Sequence, residues 1–591
     1  MDKLQVERLD ESGLPSHLFG GNFLFHRDTL GDDGPFEEAA DALGFTTVRY
    51  PGGSVTEEFF DISNPDNERV YDPKIEDYRD LTPLSEFLDY AHSTNVAVQI
   101  VLPTVNYLSE DVDLNGDRFS NVDEEGLSKF VTDVVGGVYG EAEVISFELG
   151  NEYWGQDMSS VEYGRVASKM ADIVSSTVEA LDGDYPGAKD IGIVVQVGTN
   201  FGSSSLDDQY DHLRNGSDII EAIERDYDIE LDSDTLHNSG TVDWIHVNEQ
   251  LLQAEVQEQL DDGSITGVVT HLYSREPAIE GSGENPMKWL DDHWLDDHPD
   301  LDVYVSEWNQ KGNTQALDKD DYGLYQASEM LDLIETMHEY STDVAHVWPT
   351  IQWSDNALIR GFEFNELAPG GEMFKLMSSQ LAGTKPIKFA SSEDGEHEAL
   401  LNDGKVELHG FASEDKMVMF LTSNSSDVEI TELDLSNIVN GFESASGTQL
   451  GVEEGDSPGN VRSKAELEDL DQDDLFEDTE LSAVLGAYEI LQVVVDKPDW
   501  TAEMREFISG SSDDADDPLT APSPIDNGSD GGDDGGDGGD GGVVIPTVPS
   551  DDEPPPSNDD LVEEIDDDGG LGGLAWLLLL PLAGIAFGLG R

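Results

Sequence analysis

VISFELGNE (residues 144–152) is apolar through most of its length and closes on Gly-Asn-Glu; DVYVSEWN (residues 302–309) closes on Ser-Glu-Trp-Asn. A short, nearly continuous apolar run bounded by turn residues reads as a parallel strand covered on both faces. Six further runs share the pattern: LFGGNFLF (18–25), TTVRYP (46–51), VAVQIVLP (96–103), IGIVVQVG (191–198), TGVVTHLY (266–273) and DVAHVWP (343–349). Helix signals lie between them. Thr82 before Pro83 reads as an N-cap with proline at the first helical position, and Ser159 with Glu162 as a capping box. Eight strands alternating with helices predict a (β/α)₈ barrel over residues 1–384. A doubly wound sheet is the alternative, but no run is followed by the G-x-G-x-x-G turn of its phosphate-binding members.

From residue 385 to about 500 the pattern changes to short alternating runs such as KVELHGF, KMVMFLTS and YEILQVVV. Period-two alternation between turn residues predicts an antiparallel β-sandwich, with the N-terminal strand as a candidate to complete it. Residues 510–570 are rich in Gly, Asp and Pro, including GSDGGDDGGDGGDGG (528–542), and read as a disordered acidic spacer. The run LGGLAWLLLLPLAGIAFGL (571–589), with a terminal Arg591, is long enough to span a bilayer as a helix and resembles bacterial carboxyl-terminal sorting signals. MDKLQVERLDESG at the amino terminus has no apolar core and is not a signal peptide. The expected location is therefore exported, at the cell surface or anchored in the membrane by the C-terminal segment.

Composition narrows the function. Asp and Glu number 129 against 29 Lys and Arg, a formal net charge of −100. Such a field repels a phosphate backbone, so no nucleic-acid partner is expected. It suits solubility and a medium rich in salt or divalent cations. The chain has no cysteine, which excludes disulfides, thiolate zinc sites and cysteine nucleophiles.

Barrel chemistry gathers where strands end. Those ends carry Arg49, Asn151 and Glu152, His271 and Tyr273, Glu307, and Trp348 or Trp353. Glu152 ends the fourth run and Glu307 the seventh. Two carboxyl groups facing each other across a mouth are what glycosidic cleavage with retention requires, about 5–5.5 Å apart. Two such neighbours do not ionise together easily, so one of them is expected to stay protonated.

FELGNEYWG and VYVSEWN resemble the acid/base and nucleophile segments of the clan A glycoside hydrolases. RYPGG (49–53) narrows the resemblance to the α-L-arabinofuranosidase-like family 51, with families 39 and 79 as relatives. The resemblance implies a retaining glycosidase acting on poly- or oligosaccharides, arabinofuranosidase- or xylosidase-like. In it Glu152 is the acid/base and Glu307 the nucleophile. Asn151 bonds the sugar 2-hydroxyl, Tyr273 and Arg49 hold Glu307, His271 shapes the acid/base side, and Trp348 or Trp353 lies beneath the sugar. SVTEEFFD after RYPGG departs from the family 51 pattern.

No metal and no cofactor is expected; His246, His293 and His346 lack ligand spacing and read as structural. Two rival readings are a non-catalytic surface glycan-binding protein and a metal-dependent barrel enzyme. The insertion between Gly198 and Thr266 is expected to wall one side of the cleft.

Overall fold

The computed structural model describes residues 2–509 apart from 11, 32–33, 156–157, 198–205, 276–282, 313, 315–316, 362 and 391–397. The predicted spacer and C-terminal apolar run lie outside the described residues. Among the described residues no helix is long and apolar enough to cross a membrane.

Eight parallel strands close a barrel: β1 (Gly20–Asn22), β2 (Thr47–Tyr50), β3 (Ala97–Leu102), β4 (Val144–Leu149), β5 (Gly192–Gln196), β6 (Gly267–Ser274), β7 (Asp302–Gln310) and β8 (Thr342–Val347). Each coincides with one of the runs read from the sequence. Strand β8 returns to β1, with His346 beside Gly20 and Val347 beside Gly21. Every residue of β2, β3 and β5 is buried, as continuous apolar character requires once helices cover the outside and side chains fill the inside.

The helices begin and end as their sequences dictate. Ser159 accepts from the Glu162 N–H, and Glu162 accepts from the Ser159 N–H, so the capping box forms at the head of Ser160–Leu181. Helix Pro35–Leu43 stops at Gly44 with φ 71°, a left-handed stop that a residue without Cβ adopts freely. One boundary differs from expectation. The helix Leu84–Thr94 starts one residue late, with Pro83 in extended geometry as its N-cap, because the Thr82 hydroxyl is spent on the Asp28 carbonyl instead of the helix end.

The 198–266 insertion folds in its described part into helices Leu206–Tyr210, Gly216–Tyr227 and Trp244–Asp262. Ile220, Ile223, Val242 and Leu251 give it a small core that includes Val161 of the barrel. It reaches the two-stranded extension after β3 through Tyr227 to Asp117 and Asn115 to the Asp226 carbonyl.

Beyond the barrel lies the predicted sandwich. Its larger sheet runs Val6–Leu9, Lys385–Phe389, Val406–Ala412, Lys416–Ser423, Ile490–Trp500, Val439–Val452, Ala465–Asp471. The smaller sheet is built on Glu429–Asp434 and Glu480–Leu485, with Asp2–Lys3 at its edge. The amino terminus thus adds a strand to each sheet. Leu408, Met419, Leu433, Leu481 and Val493 pack between them, while Phe411, Val418, Phe420 and Ile490 belong to the barrel's core cluster. Adjacent strand residues point to opposite faces, so one strand such as Lys416–Ser423 serves both cores.

Aromatics pack between β1, β2 and the helices that cover them. The Phe87 ring stacks on Tyr50 at 4.5 Å and meets Phe23 at 5.0 Å, and Phe23 sets its face to the edge of Phe36 at 4.7 Å. All four are fully buried. Phe87→Ala removes the ring that joins this cluster to the helix layer; chemical denaturation should show a loss of roughly 3–5 kcal/mol, and a loss below about 1 kcal/mol would show that the cluster is not a shared core.

Candidate active site

The C-terminal ends of the strands form one hydrogen-bonded unit around Arg49. This arginine is fully buried on β2. Its Nε and Nη2 bind the two oxygens of Glu148 at 2.7 and 2.8 Å; Nη2 also reaches Asn151 Oδ1 at 2.6 Å, and Nη1 reaches Asn22 Oδ1 and Glu307 Oε1, each at 3.1 Å. A guanidinium in this dry position needs carboxylates to offset its lost hydration, and the forked contact to Glu148 supplies the geometry that makes such a pair strong.

The expected carboxyl pair meets at the mouth. Chain direction changes at Gly150, with φ 85°, where a Cβ would strike Thr104 Oγ1 at 2.8 Å. Asn151 and Glu152 follow, and Glu152 itself holds φ 42°. A left-handed glutamate is a strained placement of the kind found where a side chain is aimed for use. Its side chain is 36% exposed, against 8% for Glu307. One oxygen of each and one nitrogen of His271 all lie within 4.8 Å of one another.

Glu307 is held from two sides, Arg49 on Oε1 and the Tyr273 hydroxyl donating to Oε2 at 2.9 Å. Nδ1 of His271 stands 3.0 Å from Glu152 Oε1 and 3.6 Å from Glu307 Oε2, while its Nε2 faces Ser306 Oγ at 3.1 Å. The structure therefore brings Arg49, Asn151, Glu152, His271, Tyr273 and Glu307 together. Trp348, partly buried, presses its ring against Gly53 of the RYPGG loop, where a Cβ would come within 2.8 Å of it. Trp353 stands further along the segment that follows β8, half exposed, with the Arg360 guanidinium 5.8 Å from its ring.

One expectation needs correction. Burial alone would raise the Glu152 carboxyl, but the hydrogen bond and charge of His271 outweigh it and hold the group below the usual carboxylate range. Burial likewise works to lower His271, and the Glu307 charge with the Glu152 contact outweighs it, so the imidazole is raised. Both shifts follow from the place of the imidazole, 3.0 Å from Glu152 and 3.6 Å from Glu307.

Other members were not singled out from the sequence. Glu148 lies in the same run as Glu152, as an inward acid on a strand, and that placement is the signal that could have found it. Gln196 of β5 donates to Glu148 and accepts weakly from the Glu152 N–H. Glu57, from the SVTEEFFD stretch that departs from family 51, is buried and accepts the N–H groups of Thr104, Val105 and Asn151. Burial raises its carboxyl, and these backbone donors oppose the shift. It ties the ends of β3 and β4 together directly behind Asn151.

His246 and His293 lie with Trp289 in a ring cluster, His246 to His293 at 4.4 Å and Trp289 to His293 at 4.0 Å. His346 is buried inside the barrel, where burial and then the Arg49 charge hold it well below the ordinary histidine value.

Since Glu307 is the largest charge raising His271, Glu307→Gln should lower the imidazole pKa in an NMR titration of the ring protons. An unchanged titration would mean that the imidazole does not sense that carboxylate.

No protein-family profile matches the chain, and no curated protein matches its sequence. Solved structures do match. The family 51 arabinofuranosidase from Xanthomonas axonopodis pv. citri aligns over 83% of this chain and 99% of its own, at 12% identity and TM-score 0.50. The family 51 α-L-arabinofuranosidase from Bifidobacterium longum aligns over 82% and 97%, at 12% identity and TM-score 0.51. A bifunctional glucanase-xylanase from a metagenome library aligns over 84% and 98%, at 11% identity and TM-score 0.50. At this identity the likeness is one of fold: the chain is built, over nearly the whole length of each, as a (β/α)₈ barrel followed by a β-sandwich.

Proposed function

We propose that the protein is a retaining glycoside hydrolase acting on O-glycosidic bonds of poly- or oligosaccharides, with Glu307 as nucleophile and Glu152 as acid/base. The observation that carries this reading is the spacing of the pair, one oxygen of each lying within 4.8 Å at the barrel mouth. A double displacement needs carboxyl groups about 5–5.5 Å apart, whereas inversion leaves room for a water at about 6.5–9.5 Å.

The surroundings suit each role. Arg49 and Tyr273 each donate to one oxygen of Glu307 and fix both. Glu152 is the more exposed acid and has a proton source 3.0 Å away in His271. In the first step a Glu307 oxygen bonds to the anomeric carbon, the bond to the leaving oxygen breaks, and that oxygen takes a proton that His271 passes through Glu152. Esterification removes the Glu307 charge, and with it part of what holds the proton on His271. In the second step Glu152 accepts a proton from water, whose oxygen displaces Glu307. Asn151 is placed for the sugar 2-hydroxyl: Arg49 occupies its Oδ1, and its buried Nδ2 has no hydrogen-bonding partner among the described residues. Trp348 is the better placed of the two tryptophans to form the floor, since it lies against the RYPGG loop.

An arabinofuranosidase- or xylosidase-like specificity accords with what the matched enzymes are named for. Reading residues 571–589 as an anchor or sorting segment puts the enzyme at the cell surface on an acidic spacer.

A screen of aryl glycosides, with proton NMR of the first sugar released, tests the reading. The first anomer should retain the substrate's configuration. Glu307→Ala should lower turnover by roughly four orders of magnitude, and azide should restore it by forming a glycosyl azide of inverted configuration; azide on Glu152→Ala should give the retained one. Release of the inverted anomer, or activity that survives Glu307→Ala, would overturn the assignment.

A further inference from the structure

A line of contacts, Glu152–His271–Ser306–Glu148, runs from the barrel mouth into its interior, and the reaction proposed above uses only the first of them. Nδ1 of His271 stands 3.0 Å from Glu152 Oε1 and its Nε2 stands 3.1 Å from Ser306 Oγ. The Ser306 hydroxyl in turn donates to Glu148 Oε1 at 3.4 Å. His271, Ser306 and Glu148 are all buried. We propose that Ser306, backed by Glu148, is a positioning residue that keeps a proton on Nε2 of His271, so that the proton the ring exchanges is the one on Nδ1, facing Glu152. Its part in sugar cleavage rests on the hydrolase reading above; the placement of the ring proton does not.

Hydrogen-bond direction fixes that placement. Glu148 accepts from Arg49 on both oxygens and from Gln196 on Oε1, and toward Ser306 the carboxylate is an acceptor again. A hydroxyl has one proton to give. Given to a carboxylate, it makes a charge-assisted bond, stronger than one to a neutral nitrogen. Ser306 Oγ then has only lone pairs to turn to His271, and Nε2 must bring the hydrogen. A lone pair on Nε2 would face another on Oγ in a buried place, which is costly. In the neutral ring the free lone pair therefore sits on Nδ1.

The backbone of β7 brings Ser306 to this position. Its register slips against β6 between Thr270 and His271, and against β8 between Val305 and Trp308. Neighbours on a regular strand point to opposite faces, yet Ser306 and Glu307 both meet side chains inside the mouth.

The arrangement suits a proton that must travel both ways. In the first step the Nδ1 proton moves to Glu152 as Glu152 protonates the leaving oxygen, and the ring is left neutral with its Nε2–H bond to Ser306 intact. In the second step the proton that Glu152 takes from water returns to Nδ1. Burial works to lower the ring; of the charges facing it, Glu307 and Glu152 raise it and Arg49 opposes them. Both carboxylates stand at Nδ1.

The test is ¹⁵N NMR of the full-length protein labelled at histidine and titrated without substrate, the His271 signals being assigned by their loss in His271→Gln. As pH rises, Nδ1 should lose its proton while Nε2 keeps one. In Ser306→Ala the neutral ring should shift toward the form protonated on Nδ1, where Glu152 still accepts. A ring that gives up the Nε2 proton first, that holds both protons up to the pH of unfolding, or that titrates unchanged in Ser306→Ala overturns the proposal. Should Ser306→Ala fail to fold, the titration of the parent decides. With a sugar the parent cleaves, Ser306→Ala should lower kcat/KM roughly tenfold or more on the phenyl glycoside, whose leaving group needs a proton, and far less on the dinitrophenyl glycoside, whose leaving group does not. Equal losses on the two would make Ser306 merely structural and overturn its positioning role. Failure of the parent to cleave any glycoside counts against the hydrolase reading alone, since the NMR titration needs no substrate.

Discussion

The guanidinium of Arg49 sits where three strands of the barrel end, and its five hydrogen bonds use all five of its N–H groups. Two go to Glu148 on β4, one to Glu307 on β7, one to Asn22 on β1 and one to Asn151 beyond β4. Its burial is tolerable only because Glu148 offsets the charge in a forked pair, and Glu148 is tolerable only because Arg49 is there. Breaking such a pair leaves a charge stranded in a dry interior, at a cost of about 3–5 kcal/mol. Stability and the placement of the candidate nucleophile are therefore the same requirement.

Around that centre the barrel arranges charges to oppose one another. Arg49 and His271 stand among Glu148, Glu152 and Glu307, so each of these acids has a basic side chain at short range. The 3.0 Å contact with His271 lowers Glu152, while His271 is raised by the Glu307 charge first and by that same contact second. Backbone geometry does the aiming. Gly150 permits the turn, Glu57 clamps the N–H of Asn151 from behind, and the strained φ of Glu152 directs its carboxyl into the opening.

The sandwich is bound to the barrel by shared packing and by polar contacts. Gln492 donates to the Leu376 carbonyl, Lys416 to Gln380, and His409 meets Glu335. In a chain with net charge −100, a seam that gathers Glu329, Asp332, Glu335 and Glu407 needs positive charge from somewhere. His409 supplies it: against burial, the Glu335 charge and contact raise the imidazole to about 10. The N-terminal strands, paired into both sheets, hold the sandwich to the chain segment that leads into β1.

The amino-acid sequence by itself determined the barrel, the sandwich and the two carboxyl residues. Strands covered on both faces must be apolar throughout, strands serving two cores must alternate, and reactive acids must break the apolar pattern at strand ends; each rule leaves its mark within a few neighbouring residues. Contacts between distant residues leave no such mark. Glu148 reads as one more strand residue until Arg49, 99 positions away, closes on it. Glu57 looked like a departure from a motif, and only the fold shows it beneath Asn151. The Thr82 cap was misplaced because its hydroxyl found the Asp28 carbonyl, a partner 54 residues away. The raised His271 depends on distances to two acids from different strands, and the seam cluster on a helix meeting a strand from another sheet. These were settled only by tertiary structure, because electrostatic energy depends on separation in space and burial, while the order of residues along the chain constrains neither.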